Sequence, residues 1–179
     1  KNWDEYAFFG YLKKLSIPES KPFGDFSRGM KMKLGIAAAL SHNSKLLILD
    51  EATSGLDPVV RDEVVELFSD FTRDEEHSVL ISSHIVSDLE KLCDYIAFLH
   101  QGRLMLCEEK DALLAEYCFA RGTASELDAI DRSNVIGRRD GRYGSEAIVR
   151  RAAAPAGLSL SPVSIEELFI FMVKEGGRQ

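Results

Sequence analysis

The run Leu46-Leu47-Ile48-Leu49-Asp50-Glu51 constrains this chain more than any other stretch. Four apolar residues without alternation predict a strand buried on both faces, which is the habit of a parallel sheet packed between layers. The run then ends in two adjacent carboxylates. Ligands of open α/β sheets bind beyond the carboxyl ends of the strands, so these two acids stand where a ligand would bind; taken alone, the run equally suits a strand that merely ends in exposed acids. Alternation along the strand sends the two side chains to different tasks. One can hold magnesium through water, and the other can reach an attacking water. Nucleotide hydrolysis needs both.

The surrounding pattern supports an α/β layer. Residues 3 to 15 predict an amphipathic helix, and Ser16 to Asp25, with Pro18, Pro22 and Gly24, predicts a loop. A helix follows Ser27, with Met30, Leu34, Ala37 and Ala38 at helical spacing. After the carboxylates, Asp57 suits an N-cap and Pro58 the first helical position. The helix beyond them carries a stripe of Val60, Val64, Leu67, Phe68 and Phe71. Ser78 to Ser82 predicts a second buried strand. His84 follows it and opens a helix through Ile85, Leu89 and Leu92. Tyr95 to Leu99 and Arg103 to Cys107 predict a hairpin around Gln101-Gly102. The alternation of strand and helix ends near Glu116.

Beyond Glu116 the text is richer in Arg, Gly and Ala. It holds short strand candidates near Ser133-Ile136 and Ala147-Arg150, and Arg138, Arg139, Arg142, Arg150 and Arg151 make it locally basic. Ser164-Ile165-Glu166-Glu167 is a capping-box pattern, opening a last helix with Ile165, Leu168, Phe169, Met172 and Val173 on one face.

Bulk properties narrow the classes of function. A net charge of -7 argues against broad nucleic-acid binding, which needs a basic footprint. No apolar run approaches the ~20 residues that span a bilayer. The cysteines Cys93, Cys107 and Cys118 are odd in number and irregular in spacing, which disfavours a zinc site or disulfide framework.

Two further pieces share the chemistry of the carboxylates. His84 stands directly after the second strand, able to lean over the same edge. Phe26-Ser27-Arg28-Gly29-Met30 opens a helix whose free N–H groups and positive dipole end favour an anion, with Gly29 permitting close backbone approach.

The order Phe26-Ser27-Arg28-Gly29-Met30, then Leu46 to Glu51, then Ser54-Gly55-Leu56-Asp57-Pro58, then Ser83-His84, closely resembles the ATP-binding-cassette ATPases. The four stretches match that family's signature motif, Walker B strand, D-loop and switch histidine. The resemblance covers residues 1 to 115 firmly. The signature departs from the usual Leu-Ser-Gly-Gly-Gln at Phe26, Arg28 and Met30, and Ala52 stands where proline is usual. The Ser-Arg-Gly-Met form is similar to a bacterial exporter branch. No G-x-x-x-x-G-K-[ST] occurs, the loop whose lysine holds the β- and γ-phosphates.

The resemblance implies a partial P-loop NTPase cassette with a small α+β C-terminal extension. Residues 1–43 would form the helical subdomain, 44–116 the second half of the parallel-sheet core, and 117–179 the extension. The expectation is a C-terminal fragment of a subunit that hydrolyses ATP with Mg2+ as one of a pair of cassettes. Its partners would be a second cassette and a transmembrane permease subunit, without nucleic acid, at the cytoplasmic face of the cell membrane. Glu51 would orient or deprotonate the attacking water, Asp50 would hold magnesium through water, and His84 would touch the γ-phosphate. Ser27 and Gly29, with Arg28 and Met30 beside them, would face the nucleotide of the opposing cassette, and Asp57 would couple the two sites. The chain alone would not hydrolyse ATP, and its open strands would invite self-association. The alternatives are a cassette ATPase with no transport role and a non-catalytic module that presents only its signature face.

Overall fold

A computed structural model describes residues 3–141 and 144–176. Arg142 of the basic group, and Lys1, where the helical subdomain was expected to begin, lie outside the described residues. The chain forms two compact units, Lys1–Leu92 and Cys93–Gln179.

In the first unit, helix α1 (Glu5–Lys14) is capped by Asp4, whose carboxylate accepts from the Ala7 N–H at 2.8 Å. Helix α2 (Arg28–Leu40) begins at Ser27, whose Oγ accepts from the Met30 N–H at 3.2 Å. Strand β1 (Leu46–Asp50) leads through a turn to α3 (Pro58–Phe71), which Asp57 caps by accepting from the Val60 N–H at 3.1 Å. Strand β2 (Ser78–Ser82) and helix α4 (Val86–Leu92) complete the unit. The expected strand at Ser78 to Ser82 is found with those bounds, and the stripe on α3 buries Val64, Leu67 and Phe68 almost completely.

β1 and β2 run parallel, in a register that sets Leu46 against Ser78 and Asp50 against Ser82. Leu47 packs into a core with Leu12, Ile36, Leu56, Val64 and Phe68, and Leu49, Val79 and Ile81 lean on the same core. The opposite face differs from expectation. Leu46, Ile48 and Leu80 are 52%, 72% and 61% exposed, so the strands are covered on one face only. The apolar run reads as doubly buried because its composition suits two covers. Among the described residues, the core cluster that includes Leu47 covers one face of this two-stranded sheet, and Leu46, Ile48 and Leu80 on the other stay exposed.

In the second unit, β3 (Tyr95–His100) and β4 (Arg103–Glu109) form the expected hairpin, with Gln101 and Gly102 both at positive φ. Helix α5 (Lys110–Glu116) follows, then β5 (Tyr117–Gly122), α6 (Ala124–Asp128), β6 (Val135–Gly141), β7 (Gly144–Arg150), β8 (Ser159–Ser161) and α7 (Ile165–Gly176). The last four strands form one antiparallel sheet in the order β6-β7-β5-β8. β7 therefore lies between β5 and β6, which α6 connects, a split β-α-β arrangement. The capping box before α7 is formed: Ser164 Oγ accepts from the Glu167 N–H at 3.2 Å, and Glu167 Oε2 accepts from the Ser164 N–H at 2.9 Å. Ile165, Leu168 and Phe171 of α7 are buried, with Phe171 edge-on to Phe119 of β5.

Four arginines of the basic group are engaged locally. Arg138 pairs with Asp128 at 2.5 Å and with Asp140 at 2.8 Å, Arg139 with Glu146 at 3.4 Å, and Arg150 with Glu116. Arg151 donates to the carbonyls of Ala115 and Tyr117. Among the described residues, no helix is long and apolar enough to cross a membrane.

Candidate functional site

The carboxyl ends of β1 and β2 bring four polar side chains together. Asp50 and Ser82 are register partners, and Ser82 Oγ donates to Asp50 Oδ1. Glu51 leaves the strand at φ 51°, in the left-handed region that side-chain-bearing residues rarely adopt. Its N–H still donates to the Ser82 carbonyl at 3.0 Å, while its own carbonyl accepts from the Ser54 N–H at 3.0 Å and starts the turn. The left-handed turn at Glu51, one residue past the end of the ladder, thus directs its side chain toward the loop after β2.

His84 meets it there. Its N–H donates to Glu51 Oε1 at 3.1 Å, and its ring Nδ1 lies 2.6 Å from Oε2. An ionised carboxylate only accepts, so Nδ1 carries the proton in this pairing and Nε2 is the polar atom left for another partner. A carboxylate held at both oxygens by one residue is a base with a fixed orientation, which a positioned proton acceptor requires. Both side chains remain open to solvent, at 39% for Glu51 and 69% for His84.

Asp50 is set up differently. One oxygen takes the Ser82 hydroxyl, and the other has no hydrogen-bond partner among the described residues. The described residues offer no cluster of three or more His, Cys, Asp or Glu for an ion. That donor set fits magnesium held as it commonly is with nucleotides, by one or two carboxylates, several waters and the phosphates of the substrate. It does not fit an ion caged by protein groups.

The signature stretch packs on the turn before α3. A methyl group at Gly29 would meet Leu56 Cδ2 at 3.5 Å and the Gly55 carbonyl oxygen at 3.9 Å. Gly55, at φ 76°, lies under the Arg28 side chain, where an added Cβ would meet Nε at 3.7 Å. Ser27 and Asp57 are both spent on capping their own helices, and Met30 supplies the N–H that Ser27 binds. The structure therefore divides the sequence-predicted residues into two groups. Asp50, Glu51 and His84 gather at the sheet edge, while Ser27, Arg28, Gly29 and Met30 gather with the Gly55-Leu56-Asp57 turn. Sequence reading missed Ser82. Its signal was its place as the last residue of a strand whose register aligns it with Asp50.

Comparison with known proteins follows the same outline. Residues 20–87 match the family described as "AAA domain, putative AbiEii toxin, Type IV TA system". The lantibiotic transport ATP-binding protein SrtF of Streptococcus pyogenes is 45% identical over 109 residues, 60% of this chain and 47% of that protein. The bacitracin transport ATP-binding protein BcrA of Bacillus licheniformis is 46% identical over 91 residues, 51% of this chain and 30% of that protein. The chain thus spans about half the length, or less, of these curated relatives. Among solved structures, cbiO1 from Clostridium perfringens, part of the ABC transporter complex cbiONQ, aligns with a TM-score of 0.50 at 29% identity, over 62% of this chain and 45% of that one. The dimeric post-hydrolysis state of the ATP-binding cassette MJ0796, bound to ADP and Pi, aligns with a TM-score of 0.52 at 20% identity, over 56% of this chain and 44% of that one, a likeness of fold.

Proposed function

We propose that this chain is a cassette ATPase of the ATP-binding-cassette family and serves as part of the ATP-hydrolysing subunit of an ABC exporter. The observation that carries the reading is the Glu51–His84 pair beside Asp50, at the carboxyl edge of two parallel strands. Glu51 takes the proton of the attacking water or orients it. His84 fixes Glu51 through Nδ1 and its backbone N–H, and offers Nε2 to the γ-phosphate. Asp50 holds Mg2+ through water with its unengaged oxygen. The ion's contribution, when bound, is to neutralise phosphate charge and align the leaving group.

The signature group works on a second cassette. Ser27, Arg28, Gly29 and Met30 face the nucleotide bound by that partner, where a helix N-terminus and a cation favour negative charge. Asp57 follows Gly55 and Leu56, against which Gly29 packs, and this neighbourhood supports a role for it in coupling the two sites. We assign residues 1–43 to the helical subdomain, 44–116 to the second half of the catalytic core and 117–179 to an accessory extension. The relatives that transport lantibiotics and bacitracin favour export, through a transmembrane permease subunit at the cytoplasmic face of the membrane. The phosphate-cradling loop is not among these residues, so the chain alone neither binds ATP tightly nor hydrolyses it.

The test is the Glu51→Gln substitution in the complete subunit assembled with its partner cassette. ATP hydrolysis falls by about 10²–10⁴, the usual contribution of a positioned base, while ATP binding persists. Hydrolysis retained at the wild-type rate would refute the assignment. A tight, magnesium-dependent ATP complex of the isolated chain would refute the claim of inactivity.

A further inference from the structure

We propose that Ser82 is the positioning residue for both carboxylates. Its hydroxyl aims Asp50, and its carbonyl anchors the backbone from which Glu51 departs. This inference rests on the reading of Asp50 as the residue that holds the metal of a metal–nucleotide complex.

Three observations lead to it. First, parallel register places Asp50 and Ser82 side by side on the same face of the sheet, with Leu46, Ile48 and Leu80. Second, the Ser82 hydroxyl donates to Oδ1 alone, so one oxygen is held and the other stays available. A carboxylate at a strand end otherwise rotates freely, and an ion held through water needs that oxygen at a fixed place. Third, the Ser82 carbonyl accepts the Glu51 N–H at 3.0 Å, the last ladder bond before the chain turns into left-handed backbone. One residue of β2 therefore engages both the side chain of Asp50, the last residue of β1, and the backbone of Glu51 just beyond it. Two residues further on, His84 completes the arrangement by holding the Glu51 side chain.

A serine at a strand end that merely satisfies a neighbouring acid would leave metal affinity alone. A positioning serine would not, because partners that orient a metal-holding group typically carry 10–100-fold in metal affinity or activity. The hydroxyl is the part that matters, so threonine should replace serine and alanine should not.

The experiment uses the complete subunit loaded with a non-hydrolysable ATP analogue and titrated with Mn2+, the free ion being read by electron paramagnetic resonance. Ser82→Ala weakens Mn2+ binding about tenfold, Ser82→Thr stays within roughly threefold of wild type, and metal-free analogue binding is unchanged in both. Ser82→Ala that binds Mn2+ as wild type does, while Asp50→Asn loses it, overturns the positioning role of the Ser82 hydroxyl and leaves the metal site standing. Asp50→Asn without effect overturns the metal reading and this inference with it. Loss of metal-free analogue binding in Ser82→Ala would mark a folding defect. Ser82→Cys, close in size with a weak donor, then carries the same test against the same two outcomes.

Discussion

The backbone at Glu51 makes a measurable demand on stability. Its φ of 51° lies in the left-handed region, which costs a residue with a Cβ about 1–2 kcal/mol. Glycine avoids that cost but loses more freedom on folding, about 0.5–1 kcal/mol relative to alanine. Replacing Glu51 with alanine keeps the strain and removes the two contacts to His84. Each such hydrogen bond contributes about 0.5–1.5 kcal/mol, and both side chains are partly exposed, so the lower half of that range applies. Glu51→Ala should therefore destabilise the first unit by about 1–2 kcal/mol. Glu51→Gly removes the same contacts and relieves the strain, so it should unfold later than Glu51→Ala by about 0.5–1 kcal/mol. For a unit of this size the gap corresponds to roughly 2–8 °C in midpoint. Thermal and urea unfolding of both variants, followed by circular dichroism, measures it. Glu51→Ala equal to or more stable than Glu51→Gly would show that residue 51 is not held left-handed, and would remove the reason given for the direction of its side chain.

Other outcomes follow from the same geometry. Phe68 is wholly buried in the first core, so Phe68→Ala should lower stability by about 3–5 kcal/mol in urea unfolding. Asp57→Ala removes the N-cap of α3 and should cost about 1 kcal/mol, with Asp57→Asn close to wild type. In the second unit, hydrogen bonds from Thr123 hold the Glu126 carboxyl below its usual range. Bonds from Ser133 do the same for Asp131, and bonds from Ser145 and Arg138 for Asp140. The unfolded chain then binds more protons than the folded one, so stability rises with pH in this window. The contribution is complete above the ordinary carboxylate range near pH ~4 and is lost as pH falls through the depressed folded values. Acid titration of unfolding midpoints checks it, and Glu126→Gln, which removes one of the titrating carboxyls, should flatten that dependence. Cys107 is exposed and should react at once with a thiol reagent, whereas Cys118, fully buried and with its thiol pushed up by burial, should react only on unfolding. The isolated chain should self-associate through Leu46, Ile48 and Leu80 in light scattering, and Ile48→Glu should reduce that association.

Local signals carried most of what the sequence could tell. Asp57-Pro58, Ser27 and Ser164 announced helix starts because a cap is made within one turn of chain, and the capping bonds are present. β2 was legible from its apolar centre between polar ends. The burial of β1 was misread because composition records what a strand is suited to touch, while exposure depends on which elements reach it. Ser82 escaped notice for a related reason. A serine acquires its partner only through parallel register with a strand thirty-two residues earlier, and no short-range pattern encodes that pairing. The antiparallel sheet of the second unit was half legible. The candidates at Ser133-Ile136 and Ala147-Arg150 overlap β6 at Val135 and Ile136 and β7 over its second half, but β5 and β8 carried no comparable signal and took their places through long-range pairing.

Strand alternation puts Asp50 on the same side of the sheet as Leu46 and Ile48, beside Leu80 of the neighbouring strand. Whatever polypeptide shields that greasy strip must end next to the carboxylate. On the proposed reading of Asp50, shielding and ion capture would be linked equilibria: a bound ion would favour the shielded state by mass action, and shielding would lower the local dielectric and tighten the grip on the ion. A subunit built this way would assemble more firmly when charged with metal and nucleotide than when empty.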